Sequence, residues 1–173
     1  IGYDMDYTLV HYHIPEWERI AFHFLKEKLL NLGWPVEACE FDEHFGIRGL
    51  VVDLELGNIV KSNRFGYITK AYHGFQPLSF EEQRASYSQS FVDINDRRWY
   101  FMNTFFSLSE TCMFAHAVEA IDAKSMPAPH SYESVFWTIR RSLDEAHMEG
   151  MLKGEISKQP EKFVDLDPDT AQT

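Results

Sequence analysis

Apolar residues first settle into a helical rhythm between positions 16 and 32. Trp17, Ile20, Ala21, Phe24, Leu25 and Leu29 recur at three- and four-residue spacing, which leaves Glu18, Lys26 and Glu27 for solvent. Pro15 fits the first turn, where a missing N–H costs nothing, and Gly33 with Pro35 supplies the stop. From 49 to 74 the period shortens. Runs at 50–52, 59–60 and 67–69 are β-prone, and Gly57-Asn58 and Asn63-Arg64-Phe65-Gly66 between them are hairpin signals. A small antiparallel meander is predicted, followed by a short helix opened by the capping box of Ser79 and Glu82. A further helix starts at Ser107 or Ser109 and runs through Asp122, with Met113, Phe114, Ala117, Val118 and Ile121 inward. After the Pro127-Ala128-Pro129 break, a long helix covers 131–149. The aromatic run Trp99-Tyr100-Phe101 with Phe105-Phe106 reads as core. Residues 160–173 are polar and turn-rich, as a connection would be.

Composition narrows the function classes. The 173 residues carry 27 acidic against 16 basic side chains, a net charge of −11, which argues against a nucleic-acid polymer as partner. No stretch approaches the roughly 20 apolar residues that cross a bilayer. Cys39 and Cys112 make neither a disulfide framework nor a four-cysteine zinc site. The expected setting is cytoplasmic, without a membrane partner, and there is room for a homo-oligomer. The chain starts at Ile1, and its acidic segment follows almost at once, so a piece of something longer is expected.

Two groups of residues could carry chemistry. Asp4 and Asp6 stand two apart, so on an extended strand both carboxylates point to one side. They repel unless they share a proton or a cation, and Mg²⁺ accepts such a pair together with phosphate oxygens. One carboxylate can attack phosphorus, and its neighbour can protonate the leaving oxygen. The blander reading is a solvated acidic turn. On the long helix, Arg140, Asp144 and His147 fall within roughly 60° of one another at 100° per residue. Phe136 and Leu143 share that sector. This is either an ordinary surface pair beside a histidine or a binding wall. In the wall, Asp144 accepts, Arg140 donates, His147 stacks, and Lys153 reaches a phosphate or ribose. His11 and His13 alternate at strand spacing but make a weak metal case.

The segment Ile1-Gly2-Tyr3-Asp4-Met5-Asp6-Tyr7-Thr8-Leu9 resembles the first motif of the haloacid dehalogenase-like hydrolases, in the form used by the cytosolic purine 5′-nucleotidases. Further landmarks lie in the same order: Arg48-Gly49-Leu50-Val51 with Asp53 and Gly57-Asn58, then Ala71 to Phe75, Asn103 to Thr111, and Asp144-x-x-His147-x-x-Gly150-x-Leu152-Lys153. The resemblance covers nearly the whole chain. It implies an α/β fold: a Rossmann-like core, present here only as its first strand end (1–13), a large α+β cap insertion (14–158), and a connection toward the remaining core (159–173). It implies Mg²⁺-dependent removal of the 5′-phosphate from purine nucleoside monophosphates such as IMP or GMP through an aspartyl-phosphate. Asp4 would be nucleophile and metal ligand, and Asp6 general acid/base and metal ligand. Phe106 and His147 would sandwich the purine, with Arg140, Asp144 and Lys153 as substrate contacts. The family's phosphate-binding Ser/Thr and Lys are expected beyond Thr173, so this piece alone should be inactive. The alternatives are a phosphatase for another small phosphate ester or a non-catalytic nucleotide-binding relative.

Overall fold

The computed structural model describes Gly2 and residues 10–165, without the side chain of Phe105. Asp4 and Asp6 lie outside the described residues. In chain order the elements are β1 (His11–Tyr12), α1 (Ile14–Asn31), β2 (Leu50–Asp53), β3 (Asn58–Ser62), β4 (Ile68–His73), β5 (Gln76–Pro77), α2 (Phe80–Tyr87) and β6 (Trp99–Met102). A 3₁₀ turn (Phe105–Ser107) then leads into α3 (Leu108–Asp122), α4 (Tyr132–Met148), α5 (Met151–Lys158), α6 (Pro160–Phe163) and β7 (Val164–Asp165). The chain is a mixed α/β structure with antiparallel sheets. No helix among the described residues is long and apolar enough to cross a membrane.

The meander forms as the turn signals predict, and it gains two strands. Its order is β5-β4-β3-β2-β6, so the aromatic run at 99–102 is an edge strand paired antiparallel with β2. Each face of the sheet carries a buried cluster. Val52 and Ile59 face α1, α3 and α4, whereas Val51, Val60, Ala71 and Trp99 pack against Tyr87 of α2 and Val92. A strand at least half-buried on both sides need not alternate apolar with polar, which is why β6 reads as undifferentiated core.

Local signals hold where they are strongest. Ser79 and Glu82 form the capping box at α2, and Ser131 caps α4. Gly57 turns the β2–β3 hairpin at φ +70°, and a Cβ there would lie 2.5 Å from the ring of Tyr132. Position 57 therefore admits glycine for both its conformation and its space.

Two expectations are corrected. Glu18 is not left for solvent: it is 1% exposed and lies on the stripe with Ala21, Phe22, Leu25 and Leu29 that forms the buried side of α1. Its carboxylate explains why, because Oε2 accepts from the backbone N–H of Ser109 at 2.5 Å, at the α3 N-terminus. That terminus has no side-chain cap of its own. Residues 160–165 are not mere connection either. They form α6 and β7, and β7 pairs antiparallel with β1, His11 opposite Asp165 and Tyr12 opposite Val164. The indole N–H of Trp17 and the backbone N–H of His13 both donate to the Phe163 carbonyl, at 2.8 and 2.9 Å. The two ends of the described body thus run side by side as a short stem.

Candidate functional site

The 3₁₀ turn sets Phe106 over the stem. Its ring meets Tyr12 and Trp17 edge to face, at centroid distances of 5.8 and 5.7 Å, and the residue is still 36% exposed. One helical turn further on, Glu110 points inward from α3 and is fully buried. Across the α3–α4 interface the Arg140 guanidinium donates to Glu110 Oε2 at 3.1 Å. The other arm of the guanidinium lies 3.3 Å from Asp144, one turn along α4. Arg140 is thus gripped between a buried carboxylate and an exposed one.

The buried end of this array is incompletely satisfied. Glu110 Oε1 is buried without a hydrogen-bond partner among the described residues. Burial pushes the Glu110 carboxyl above the ordinary carboxylate range, against the pull of Arg140. Burial likewise lifts Glu18 to about 7, partly opposed by the N–H groups at the α3 N-terminus. Three chargeable groups from three helices therefore meet where α1, α3 and α4 converge. Of the three only Arg140 reaches toward solvent, where Asp144 meets it.

The predicted helix sector on α4 is present: Phe136 and Leu143 are buried, Arg140 lies at the rim, and Asp144 and His147 are exposed. His147 is turned back on its own helix, with Nδ1 3.0 Å from the Leu143 carbonyl. No ring contact joins it to Phe106 among the described residues. Lys153 lies on α5 after the left-handed Gly150, and its ammonium makes no ion pair among the described residues. The structure therefore brings Arg140 and Asp144 together; among the described residues no hydrogen bond, ion pair or ring contact joins Phe106, His147 or Lys153 to that pair. Glu110 and Glu18 were missed as members of the site. Glu18 carried a readable signal, since it keeps the i, i+3, i+7, i+11 spacing of the buried stripe.

Among the described residues no group of three or more His, Cys, Asp or Glu is placed to hold a metal ion. His13 binds Asp165 at 2.8 Å and the Lys162 carbonyl at 3.0 Å, so it serves the stem. The landmarks Asp53, Asn58 and His73 are equally structural. Asp53 is buried in β2 and accepts from Nε and Nη2 of Arg98, the Tyr87 hydroxyl and the N–H groups of Glu55 and Leu56. Asn58 donates to Tyr87 at 2.7 Å, and His73 bridges Asn58 to Asp122.

A sequence profile of the 5′ nucleotidase family matches residues 1–173. The chain is also similar to 5′-nucleotidase domain-containing protein 1 of Bos taurus, 27% identical over 135 residues that cover 70% of this chain and 30% of that protein. The Homo sapiens protein of the same name is 27% identical over 132 residues, 69% of this chain and 29% of its own length. The chain spans less than a third of the length of these relatives. The profile covers the whole of this chain, and the chain belongs to the 5′ nucleotidase family.

Proposed function

We propose that the whole protein is a nucleotide 5′-phosphohydrolase of the haloacid dehalogenase type, acting on purine nucleoside monophosphates. The observation that carries the base-binding part is the Glu110–Arg140–Asp144 array. A cation fixed from two sides presents donors in a set direction, and Asp144 beside it presents an acceptor. That donor–acceptor edge suits a purine carrying an oxo group and a ring N–H. Phe106, held over the stem by Tyr12 and Trp17, supplies a partly exposed ring for stacking. His147 and Lys153 are the proposed second ring and phosphate or ribose contact.

The stem supports the domain reading, in which 14–158 form a cap inserted between 1–13 and 159–173. An insertion needs its two ends adjacent, and β1 lies against β7. In this reading the chemistry falls to Asp4 and Asp6. The Asp4 carboxylate and the Asp6 backbone carbonyl would hold Mg²⁺, which when bound would offset the phosphate's negative charge. An Asp4 oxygen attacks phosphorus as the bond to the 5′-oxygen breaks, and Asp6 gives that oxygen its proton. Asp6 then takes a proton from water as the water attacks the same phosphorus, which frees phosphate and restores Asp4.

Kinetics on the full-length protein test both halves. Asp4→Asn should abolish phosphate release from IMP, and near-normal turnover would end the nucleophile assignment. Asp144→Ala and Phe106→Ala should raise KM for IMP by roughly tenfold to a hundredfold, the first by leaving a polar edge of the bound base unpaired and the second by removing its stacking partner. Both should leave p-nitrophenyl phosphate hydrolysis intact. Equal losses on both substrates would point to a destabilised cap, and no loss on either would return Arg140 and Asp144 to an ordinary surface pair.

A further inference from the structure

A second site stands on the sheet, away from the array just described. Beyond the reach of the helices, the inner face of β2, β3 and β4 floors a cavity of about 420 Å³, within the usual range for small-molecule pockets. Leu50, Ile59 and Tyr72 form an apolar floor, and Phe45 and Ile47 from the preceding loop wall it. Phe45 is held there by Tyr72 and Phe75, at centroid distances of 6.0 and 4.5 Å.

The rim has the opposite character. Lys61 on β3 and Lys70 on β4 are directly opposite each other across the ladder, and both line the cavity. Like charges in that relation destabilise a sheet. Neither ammonium has a carboxylate partner among the described residues, although the chain carries eleven more negative charges than positive ones. The strand pairing also shifts register beside Lys61, leaving Thr69 as an extra residue whose hydroxyl donates to the Lys61 carbonyl at 2.9 Å. Such bulges re-aim side chains, and here Lys61, Thr69 and Lys70 all reach one cavity.

We propose that this cavity binds a small amphiphilic anion, its apolar body against Leu50, Ile59 and Tyr72 and its acidic head between Lys61 and Lys70. The head neutralises the lysine pair, while the body fills an apolar space that the helices leave uncovered. The site is independent of the phosphohydrolase reading.

The probe is 1-anilinonaphthalene-8-sulfonate, whose fluorescence rises in apolar surroundings, titrated into the full-length protein beside its uncharged parent, N-phenyl-1-naphthylamine. One saturable equivalent of the sulfonate is expected. Lys61→Gln/Lys70→Gln should weaken it by about tenfold or more, because charge-assisted contacts are lost, while moving the neutral parent by less than about twofold. Lys61→Arg/Lys70→Arg should retain binding. Displacement by decanoate would identify an acyl body and displacement by 2-naphthoate an aromatic one; either supports the site. It is overturned if neither competes, if the lysine substitutions leave the sulfonate unaffected or weaken both probes alike, or if no saturable equivalent binds. Removing the like-charge pair should leave the thermal midpoint unchanged or raised, so unfolding does not obscure the result.

Discussion

Asp53 and Glu110 are both fully buried carboxylates, and each faces an arginine, yet their surroundings differ completely. Asp53 receives donors on both oxygens, including Nε and Nη2 of Arg98, and the network continues through Tyr87, Asn58 and His73 to α3. Glu110 receives a single donor and keeps an orphaned oxygen. A fully satisfied buried network fixes a structure, whereas a half-satisfied one costs stability and persists where something else requires it. The sheet side of the molecule is built to hold still. The helical convergence holds a loaded arginine at the surface.

The contrast is broken most severely at Asp53. Asp53→Ala strands Arg98 and Tyr87 in a buried setting and should cost about 3–5 kcal/mol in denaturant unfolding, the loss expected for removing one partner of a buried pair. A cost under about 1 kcal/mol would remove the distinction between the two carboxylates.

The next effect belongs to Glu18 and depends on pH. Its folded-state pKa, about 7, lies above the unfolded value near 4.5. The folded chain therefore holds this proton more tightly than the unfolded chain. The resulting stability is fully present below about pH 4.5 and is lost as the pH rises through 7. Glu18→Gln keeps the shape without the charge. It should remove this part of the pH dependence, a relative gain on the order of 2–3 kcal/mol at pH 8 over pH 4.5. Parallel stability curves for the two proteins between pH 4 and 8 would contradict the burial argument.

The smallest effect sharpens the comparison from the outside. Asp144 touches Arg140 only across an exposed i, i+4 pair, so Asp144→Ala should cost no more than about 0.5 kcal/mol of stability. A larger loss would make Asp144 part of the structural grip rather than a free acceptor at its edge.

These contrasts explain what could be read in the sequence. The Ser79–Glu82 box, the Gly57-Asn58 turn and the amphipathic stripe of α4 were legible because each is decided within a few residues. Arg140 and Asp144 were legible for the same reason, being one turn apart on one helix. Glu18 was misread because its partner, the Ser109 N–H, lies 91 positions away and no local rule reveals it. Strand β6 was hidden by two-sided burial, and β7 by a composition that resembles a linker until β1 is beside it. The place of Glu110 depends on a contact made across 30 positions, from α3 to α4.

The stem has a kinetic meaning as well. His13 and Asp165 are joined across 152 positions, so their pairing closes a loop that encloses nearly the whole described body. Closure entropy grows only slowly with loop length, but no part of it is recovered until the two ends meet. The sheet and helices, rich in short-range pairings, should therefore assemble first and the stem last. Two strands of two residues each are a thinly protected join, so opening there can precede global unfolding. Phe106 rests on Tyr12 and Trp17 at that join. Each opening of the stem would loosen the ring that the proposed purine stacks upon, so the lifetime of the closed stem sets how long that surface stays ready.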